Sequence, residues 1–555
     1  MGGFYLSPNA DPYDELLANL KEANEKEDYQ CRFPFRTKLF TRAGFWKPRT
    51  LTCPGHITWK GVFSKEKLYL AFAAQYMSNP ASVFGHTFFI LSPDRTKSTP
   101  HPEFLDLTLS YAAEMPRNTN GYNYVVKGLS GGFKGHFYDD PLYKRIYEYS
   151  NMELRDLWVY PINISEEKID DLLDYVWELG LHPYFGYYFL DENCSYMLME
   201  ILDVINPEGH LTKDFPIWVL PVETIKSLQR QHRLGAGFVI PSMRRKFLKE
   251  YDRLSGQEKS QLKKAISGDL ESLKTKEATD VMITYMDKKK IEKKGVSSLE
   301  EQKQFQKLLI KRSGLGPKVD DDKKYIVLDP IKSHEPYALS LKTGTVNGHG
   351  FQEIEFRPIV HDLLDLNAGF IEHSQIKLGT PTLRLDDRGG VRLQQFQLAT
   401  AANIVPFRMI DPIYSWKINI ERTHLQDKLC FDCSVTRVAL GIGYTVDLGD
   451  HLNYYFIPGV NADWGRDVRH HFRGGPGIFS GFIFDFTEKF KLNPSFDYFY
   501  ADKWLRTSQT VFKPGIDGSI NFSRSFSLRG TYREWRTYPV TIPSREVSGS
   551  MVYFF

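Results

Sequence analysis

The chain has 555 residues, enough for two to four domains with a sizeable core. Its formal net charge of +3 is too small for a nucleic-acid footprint, and no zinc-finger, RRM or Walker-type motif accompanies it. Aromatics make up 14% of the residues, led by 39 Phe and 31 Tyr, and five cysteines leave at least one thiol without a partner.

The opening "MGGFYLSPNADPYDELL" has no basic segment followed by an apolar one, so no secretory signal is read there. No window approaches 18 consecutive apolar residues, so no transmembrane helix is predicted, whereas a transmembrane barrel stays open. Residues 1–240 read as a mixed α/β unit. Asp14–Lys26 is expected to be helical. Strands are expected around Lys67–Gln75, over His86–Leu91 and near Leu105–Ala113. In the first of these, Tyr69 and Ala71 alternate with Leu68, Leu70 and Phe72. "GLSGGFKGHF" (Gly128–Phe137) reads as a Gly-rich loop. Ser165–Leu179 carries Ile169, Leu172, Leu173, Val176 and Leu179 at helical spacing. A further helix is predicted to begin at or just after Asn193.

Residues 241–335 are rich in Lys and Glu and contain "DKKKIEKK" (Asp287–Lys294). They read as charged amphipathic helices forming a solvated linker. The alternative is a basic face near anionic headgroups.

From residue 336 to 555 the period becomes two. Val438, Leu440, Ile442, Tyr444, Val446 and Leu448 alternate with Arg437, Ala439, Gly441, Gly443, Thr445 and Asp447. Phe522, Phe526, Leu528 and Tyr532 oppose Asn521, Ser527, Arg529 and Arg533, and a terminal run sets Val547, Met551 and Tyr553 against Glu546, Ser548 and Ser550. A soluble sandwich also alternates. Strands of about ten residues, aromatics crowding the strand ends and a last strand that runs to Phe555 favour an antiparallel transmembrane barrel of roughly 12 strands.

The chemistry gathers around "DENCSYMLMEIL" (Asp191–Leu202). Asp and Asn are good N-cap types, and Leu198, Ile201, Leu202 and Ile205 follow at helical spacing, so Cys194 is expected in the first turn of a helix. There the free backbone N–H groups and the helix dipole favour a thiolate. On position alone a buried inert cysteine is the better reading. "NPASVFGHTFFIL" (Asn79–Leu91) places His86 at the entry of an apolar strand. A His-strand before an Asn-Cys helix is the order of the circularly permuted papain-like enzymes, which include lipid acyltransferases of the lecithin–retinol type.

The N-terminal half resembles the periplasmic domain of the Lnb-type lipoprotein N-acyltransferases. The resemblance rests on "CRFPFRTKLF", "NPASVFGHTFFIL", "YAAEMP", "KGLSGGFKGHF", "ELRDLWVYPINISEEK" and "YYFLDENCSYMLMEIL". It implies an α+β permuted papain-like fold and a Cys-His thiol acyltransferase with diacylated bacterial lipoproteins as acceptors. The expected architecture is then a periplasmic catalytic domain over 1–240, a linker over 241–335 and an outer-membrane barrel over 336–555. Cys194 is the expected nucleophile and His86 its base. Glu114 is preferred over Ser110 as the group orienting His86, with a surface carboxylate as the plain alternative. Asn193, Ser110, Tyr187, Tyr188, Gly131 and Gly132 are the candidate substrate-binding residues. For the tyrosines packing is the competing role, and for the glycines a plain loop. The expected partners are a phospholipid acyl donor, a lipoprotein acceptor and the membrane, with no nucleic acid and no cofactor. A cysteine amidase or peptidase acting on peptidoglycan, and a non-catalytic barrel channel with a docking domain, are the competing readings. Cys31 and Cys53 could pair in an oxidising periplasm. "CFDC" (Cys430–Cys433) lacks the second ligand pair of a zinc site, and no other metal motif is present, so no metal is expected.

Overall fold

The computed structural model describes residues 4–8, 11–75, 83–93, 104–116, 119–181, 183–215, 217–293, 295–316, 328–387, 389–426, 432–449, 451–466, 468, 471–501, 509–538 and 542–555. The chain divides into two compact units, Met1–Val327 and Leu328–Phe555.

The first unit is built on a seven-stranded antiparallel sheet. Its strands are β1 (Phe63–Ala73), β2 (His86–Pro93), β3 (Leu107–Glu114), β4 (Phe133–Pro141), β5 (Leu157–Pro161), β6 (Phe185–Tyr187) and β7 (Phe238–Ile240). They lie in the order β6-β4-β3-β2-β1-β5-β7. The central strands are apolar on both faces because both faces are covered. Tyr69, Ala71 and Ala73 share one face with Phe88, Ile90, Leu157 and Val159, under Leu142 and Tyr149. Beneath the other face, the helix Cys194–Ile205 packs on β2 and β3.

The helix Glu166–Leu179 packs on β1 and follows the predicted spacing. Ser165 caps it by accepting from the Lys168 amide, and Ile169, Leu172, Leu173, Val176 and Leu179 are buried. Each such side chain stabilises the fold by roughly 1.5–3 kcal/mol relative to exposure. Its polar flank holds the N-terminal helices. Glu178 accepts from the Arg36 amide at 2.9 Å, and Asp174 meets His56 at 2.9 Å and Lys60 at 2.5 Å. Burial pushes the Glu178 carboxyl up to about 7 against the opposing pull of Arg36. Cys31 and Cys53 form a disulfide. Trp177 donates to the Cys31 carbonyl at 2.8 Å, which ties that staple to the same helix.

The charged stretch after residue 240 is not a solvated connection. Its helices Met243–Asp252, Gly256–Ile266, Lys276–Glu292 and Leu299–Ser313 belong to the first unit and bury Phe247, Leu262, Ala265, Val281, Met282 and Leu308. The lysine run is paired within the helices. Lys288 and Lys289 meet Glu292 at 2.7 and 2.8 Å, and Lys293 meets Glu301 at 2.5 Å. The "GLSGGFKGHF" stretch is likewise more regular than a loop. Helix Gly121–Ser130 ends at Gly131 in the left-handed conformation (φ 72°), and β4 starts two residues later.

The second unit is a closed barrel. Its strands are β8 (Ala338–Val346), β9 (His349–Arg357), β10 (Val360–His361), β11 (Ser374–Asp386), β12 (Val391–Asn403), β13 (Ser415–His424) and β14 (Ser434–Asp447). Then come β15 (Leu452–Trp464), β16 (Phe472–Asp485), β17 (Phe490–Ala501), β18 (Gln509–Asn521), β19 (Phe526–Tyr538) and β20 (Ser544–Phe554). β11 to β20 pair in sequence, β20 pairs β8, β8 pairs β9, and β9 returns to β11. The two-residue β10 lies beside β11 as an extra. Twelve antiparallel strands thus close the ring, and closure removes every free edge.

The polarity of the barrel is inverted relative to a soluble sandwich. Leu440, Ile442, Tyr444 and Val446 are exposed, whereas Ala439 and Thr445 on the alternate face are buried. Val547, Met551 and Tyr553 are exposed, and Glu546, Ser548 and Val552 are buried. The lumen holds ion pairs: Arg437–Asp463 and Arg473–Asp463, both at 2.8 Å, Arg384–Glu353 at 2.7 Å and Lys342–Glu546 at 2.6 Å. Aromatic groups stand at strand ends, as in Phe486–Phe490, Phe522–Phe526 and Trp464–Phe472. An apolar outside, a charged inside and aromatic ends are what a bilayer demands of a barrel, so this unit is of the outer-membrane type.

The connection after β9 turns into the barrel. Ser519 and Asn521 donate to the Leu364 carbonyl at 2.8 and 3.0 Å. Lys491 donates to Asn367 and Lys377 to Asp362, each at 2.6 Å, and Arg529 pairs with Asp365. A cavity of about 420 Å³ remains in the lumen. Cys433 is disulfide-bonded, and Cys430 lies outside the described residues.

Candidate active site

Cys194 is the free cysteine among the described residues, 3% exposed, and it is the first residue of its helix. The helix begins there because Asn193 caps it. The Asn193 side-chain oxygen accepts the amides of Ser195 at 2.9 Å and Tyr196 at 3.2 Å. Its amide nitrogen donates to the carbonyls of Val219 at 2.7 Å and Phe189 at 3.3 Å. The cap is therefore itself held by two neighbouring segments. Leu198, Met199, Ile201, Leu202 and Ile205 are then buried and press the helix onto the sheet.

β2 and β3 pair only from Phe89–Leu109 to Leu91–Leu107, so the first residues of β2 are free of β3. Here the Thr87 amide and the Tyr187 hydroxyl hydrogen-bond the Cys194 thiol, and the Ser195 hydroxyl lies 3.7 Å from it. Thr87 and Ser195 are also joined by their own hydroxyls at 2.8 Å. Burial pushes the Cys194 thiol up, and these donors pull it back without cancelling the burial. Tyr187 stacks on Tyr111 at 5.5 Å, and burial holds its phenol far above the usual value. The resting group is thus a neutral thiol ringed by donors that favour a thiolate once the proton leaves.

The expected direct pair of Cys194 with His86 is not present. Among the described residues no hydrogen bond joins them. Strand alternation is the reason: Thr87 faces the Cys194 helix, so His86 points to the other face, with Phe88. Its ring lies 5.6 Å from that of Tyr149. Arg155 sits over Tyr149 and donates to the Ala73 carbonyl at 2.8 Å. Burial first, then the guanidinium groups of Arg155 and Arg145, push His86 down to about 3. The backbone still keeps His86 close to the thiol, because the amide that reaches Cys194 belongs to the next residue.

Glu114 does not orient His86. It ends β3, is exposed, and pairs with His136 at 3.3 Å. Ser110 is buried and accepts from Arg145 at 2.8 Å, on the sheet face shared with His86. Asn193 is buried and committed to the helix cap rather than open to a substrate. Tyr188 lies under Gly131, where an added Cβ would fall 2.2 Å from its ring. Gly131 therefore serves the left-handed helix end, and Gly132 packs on Lys127. Sequence reasoning missed Thr87, Ser195 and Tyr111 around the thiol, and Arg145, Tyr149 and Arg155 around His86. Arg155 alone left a trace, as a charge just ahead of the apolar run "LWVYP". Asp170, Asp171 and Asp174 form an acidic cluster, but Lys38, Arg42 and Lys60 already pair with it.

Two family matches divide the chain as the fold does. Residues 57–231 match the Lnb N-terminal periplasmic domain, and residues 328–541 match a domain of unknown function, DUF7840. No curated protein matches. Among solved structures, the KdgM porin is 7% identical, covering 39% of this chain and 99% of its own, with a TM-score of 0.24. The NanC porin is 9% identical with a TM-score of 0.26, covering 39% and 99%. An outer membrane channel from Pseudomonas putida F1 is 10% identical with a TM-score of 0.27, covering 43% and 100%.

Proposed function

We propose that this chain, an Lnb-type periplasmic domain joined to an outer-membrane barrel, is a lipoprotein N-acyltransferase that works through a thioester on Cys194. The observation that carries the reading is the Cys194 thiol at a capped helix start, hydrogen-bonded by the Thr87 amide and the Tyr187 hydroxyl. The thiol gives up its proton, and the thiolate attacks an ester carbonyl of a phospholipid. The C–O bond breaks, the lysolipid alkoxide takes a proton, and the acyl group stays on sulfur. The α-amine of a lipoprotein's lipidated N-terminal cysteine then attacks the thioester. An amide forms and the thiol returns. The Cys194 amide, which in the resting site donates to the Tyr187 hydroxyl oxygen, is the oxyanion donor we assign once the acyl carbonyl takes that place. His86, neutral at pH 7, is the base we assign to the thiol proton, which it reaches by leaving the face it shares with Phe88 at the end of β2 that β3 does not cover. Exclusion of water from the buried thiol keeps the thioester for the amine.

The test is mass spectrometry of lipoprotein N-termini in cells that rely on this protein. Cys194→Ser at unchanged expression is expected to abolish the amide-linked third chain. Unchanged triacylation sinks the proposal. Loss of peptidoglycan cleavage with triacylation intact would favour the amidase reading instead.

A further inference from the structure

The barrel unit contains a second group of ligating side chains that the acyl-transfer chemistry does not use. His334 precedes β8, His361 ends β10, and Asp365 lies in the in-turned segment. All three are buried, at 1%, 1% and 0% exposure. His334 Nε2 stands 3.1 Å from His361 Nδ1 and 3.8 Å from Asp365 Oδ2. The two imidazoles are nearly parallel and lie side by side against Phe370, whose centroid is 4.1 Å from His361 and 4.6 Å from His334.

The hydrogen-bonding partners assign the proton on His334. Its Nδ1 is 2.7 Å from the Glu335 carbonyl oxygen, which can only accept, so Nδ1 carries the hydrogen. In the neutral ring Nε2 then turns its lone pair toward His361 and Asp365. A histidine that donates from one nitrogen to a carbonyl and presents the other is the usual arrangement of a metal ligand. Asp365 is likewise oriented, accepting the Asp362 amide at 2.8 Å and pairing with Arg529. His361 is the less firmly held of the two rings: its Nε2 has no hydrogen-bond partner among the described residues although the ring is buried, so its Nδ1 is oriented by the cluster alone. One hydrogen bond to a neighbouring imidazole is poor compensation for that burial.

We propose that His334 Nε2, His361 Nδ1 and Asp365 Oδ2 bind a divalent transition metal of the zinc class. Two bonds of about 2.1 Å meeting near the tetrahedral angle place their donors roughly 3.4 Å apart. The pair at 3.1 Å and the carboxylate at 3.8 Å both lie within a few tenths of an ångström of that spacing. Imidazole with carboxylate suits zinc, nickel or copper rather than calcium or magnesium. The metal would fasten the in-turned segment to the chain just before β8.

The test uses the untagged, detergent-solubilised full chain, stripped with a chelator and titrated with Co²⁺. One equivalent is expected to bind and give visible d–d absorption. His361→Phe keeps the ring stacking and is expected to weaken binding at least 100-fold, with heat-modifiable migration on a gel reporting an intact barrel. Asp365→Asn is expected to act in the same direction. Wild-type chain that gives no d–d band, or variants that bind as the wild type does, overturn the proposal. Should a variant fail to fold, the wild-type titration still decides.

Discussion

The sharpest perturbation of the proposed site is Asn193→Ala, because that one side chain holds the Cys194 helix at four points. Truncation removes the cap on the Ser195 and Tyr196 amides, which costs about 1 kcal/mol. It also leaves the Val219 carbonyl, bonded at 2.7 Å, without its donor in a buried setting, at about 1 kcal/mol or more. Together these lower the opening free energy of the helix by about 2 kcal/mol, which is roughly a 30-fold rise in exchange. Hydrogen exchange read by mass spectrometry over Cys194–Ile205 measures it directly in the solubilised chain. Alkylation of the thiol should accelerate in parallel, since the same opening exposes it. Asn193→Asp keeps the acceptor but sets a carboxylate oxygen against the Val219 and Phe189 carbonyls, so its exchange should also rise above wild type. Unchanged exchange in the alanine variant would refute the argument that Asn193 sets the helix start.

Gly131→Ala is expected to destabilise the first unit by about 2 kcal/mol or more, through a strained φ and collision with the Tyr188 ring, whereas Gly132→Ala has no left-handed φ and meets Lys127 at 3.0 Å or more, so it costs less. Comparing the urea midpoints of the two variants checks this. His86 is pushed below its unfolded value near 6.5, so the stability tied to its neutral form is present above that value and drains as pH falls toward 3. The slope is at most about 1.4 kcal/mol per pH unit. His86→Gln should flatten the drop in urea midpoint between pH 7 and pH 5, and an equal drop in both proteins contradicts the assignment. The lumen ion pairs and the in-turned segment predict no stepwise conductance in planar bilayers. Deletion of residues 361–370 should open measurable steps, and open-channel currents in the intact chain would restore the channel reading.

Local patterns made much of this legible. The spacing of Ile169, Leu172 and Val176 foretold a helix because that face meets the sheet. The alternation around Leu440 and Ile442 foretold a barrel because the bilayer inverts the usual polarity. The capping residue before Cys194 was readable for the same local reason. What the sequence concealed were relations across the fold. His86 reads as a partner of Cys194 from motif order, yet the two-residue period of β2 turns it to the opposite face. Glu114 sits at a suitable place in the chain, but β4 presents His136 to it. The lysine run after residue 286 looks like a solvated linker, and only packing shows Phe247 and Met282 anchoring its helices to the first unit.

The closed ring of twelve strands carries a constraint of parity. Because β8 and β20 are antiparallel neighbours, the chain enters and leaves the barrel at the same rim. Gain or loss of a single strand would deliver Phe555 to the opposite rim and leave two parallel strands to close the seam. Whole hairpins are therefore the smallest steps by which this barrel can grow or shrink while keeping both its ends on one side of the membrane.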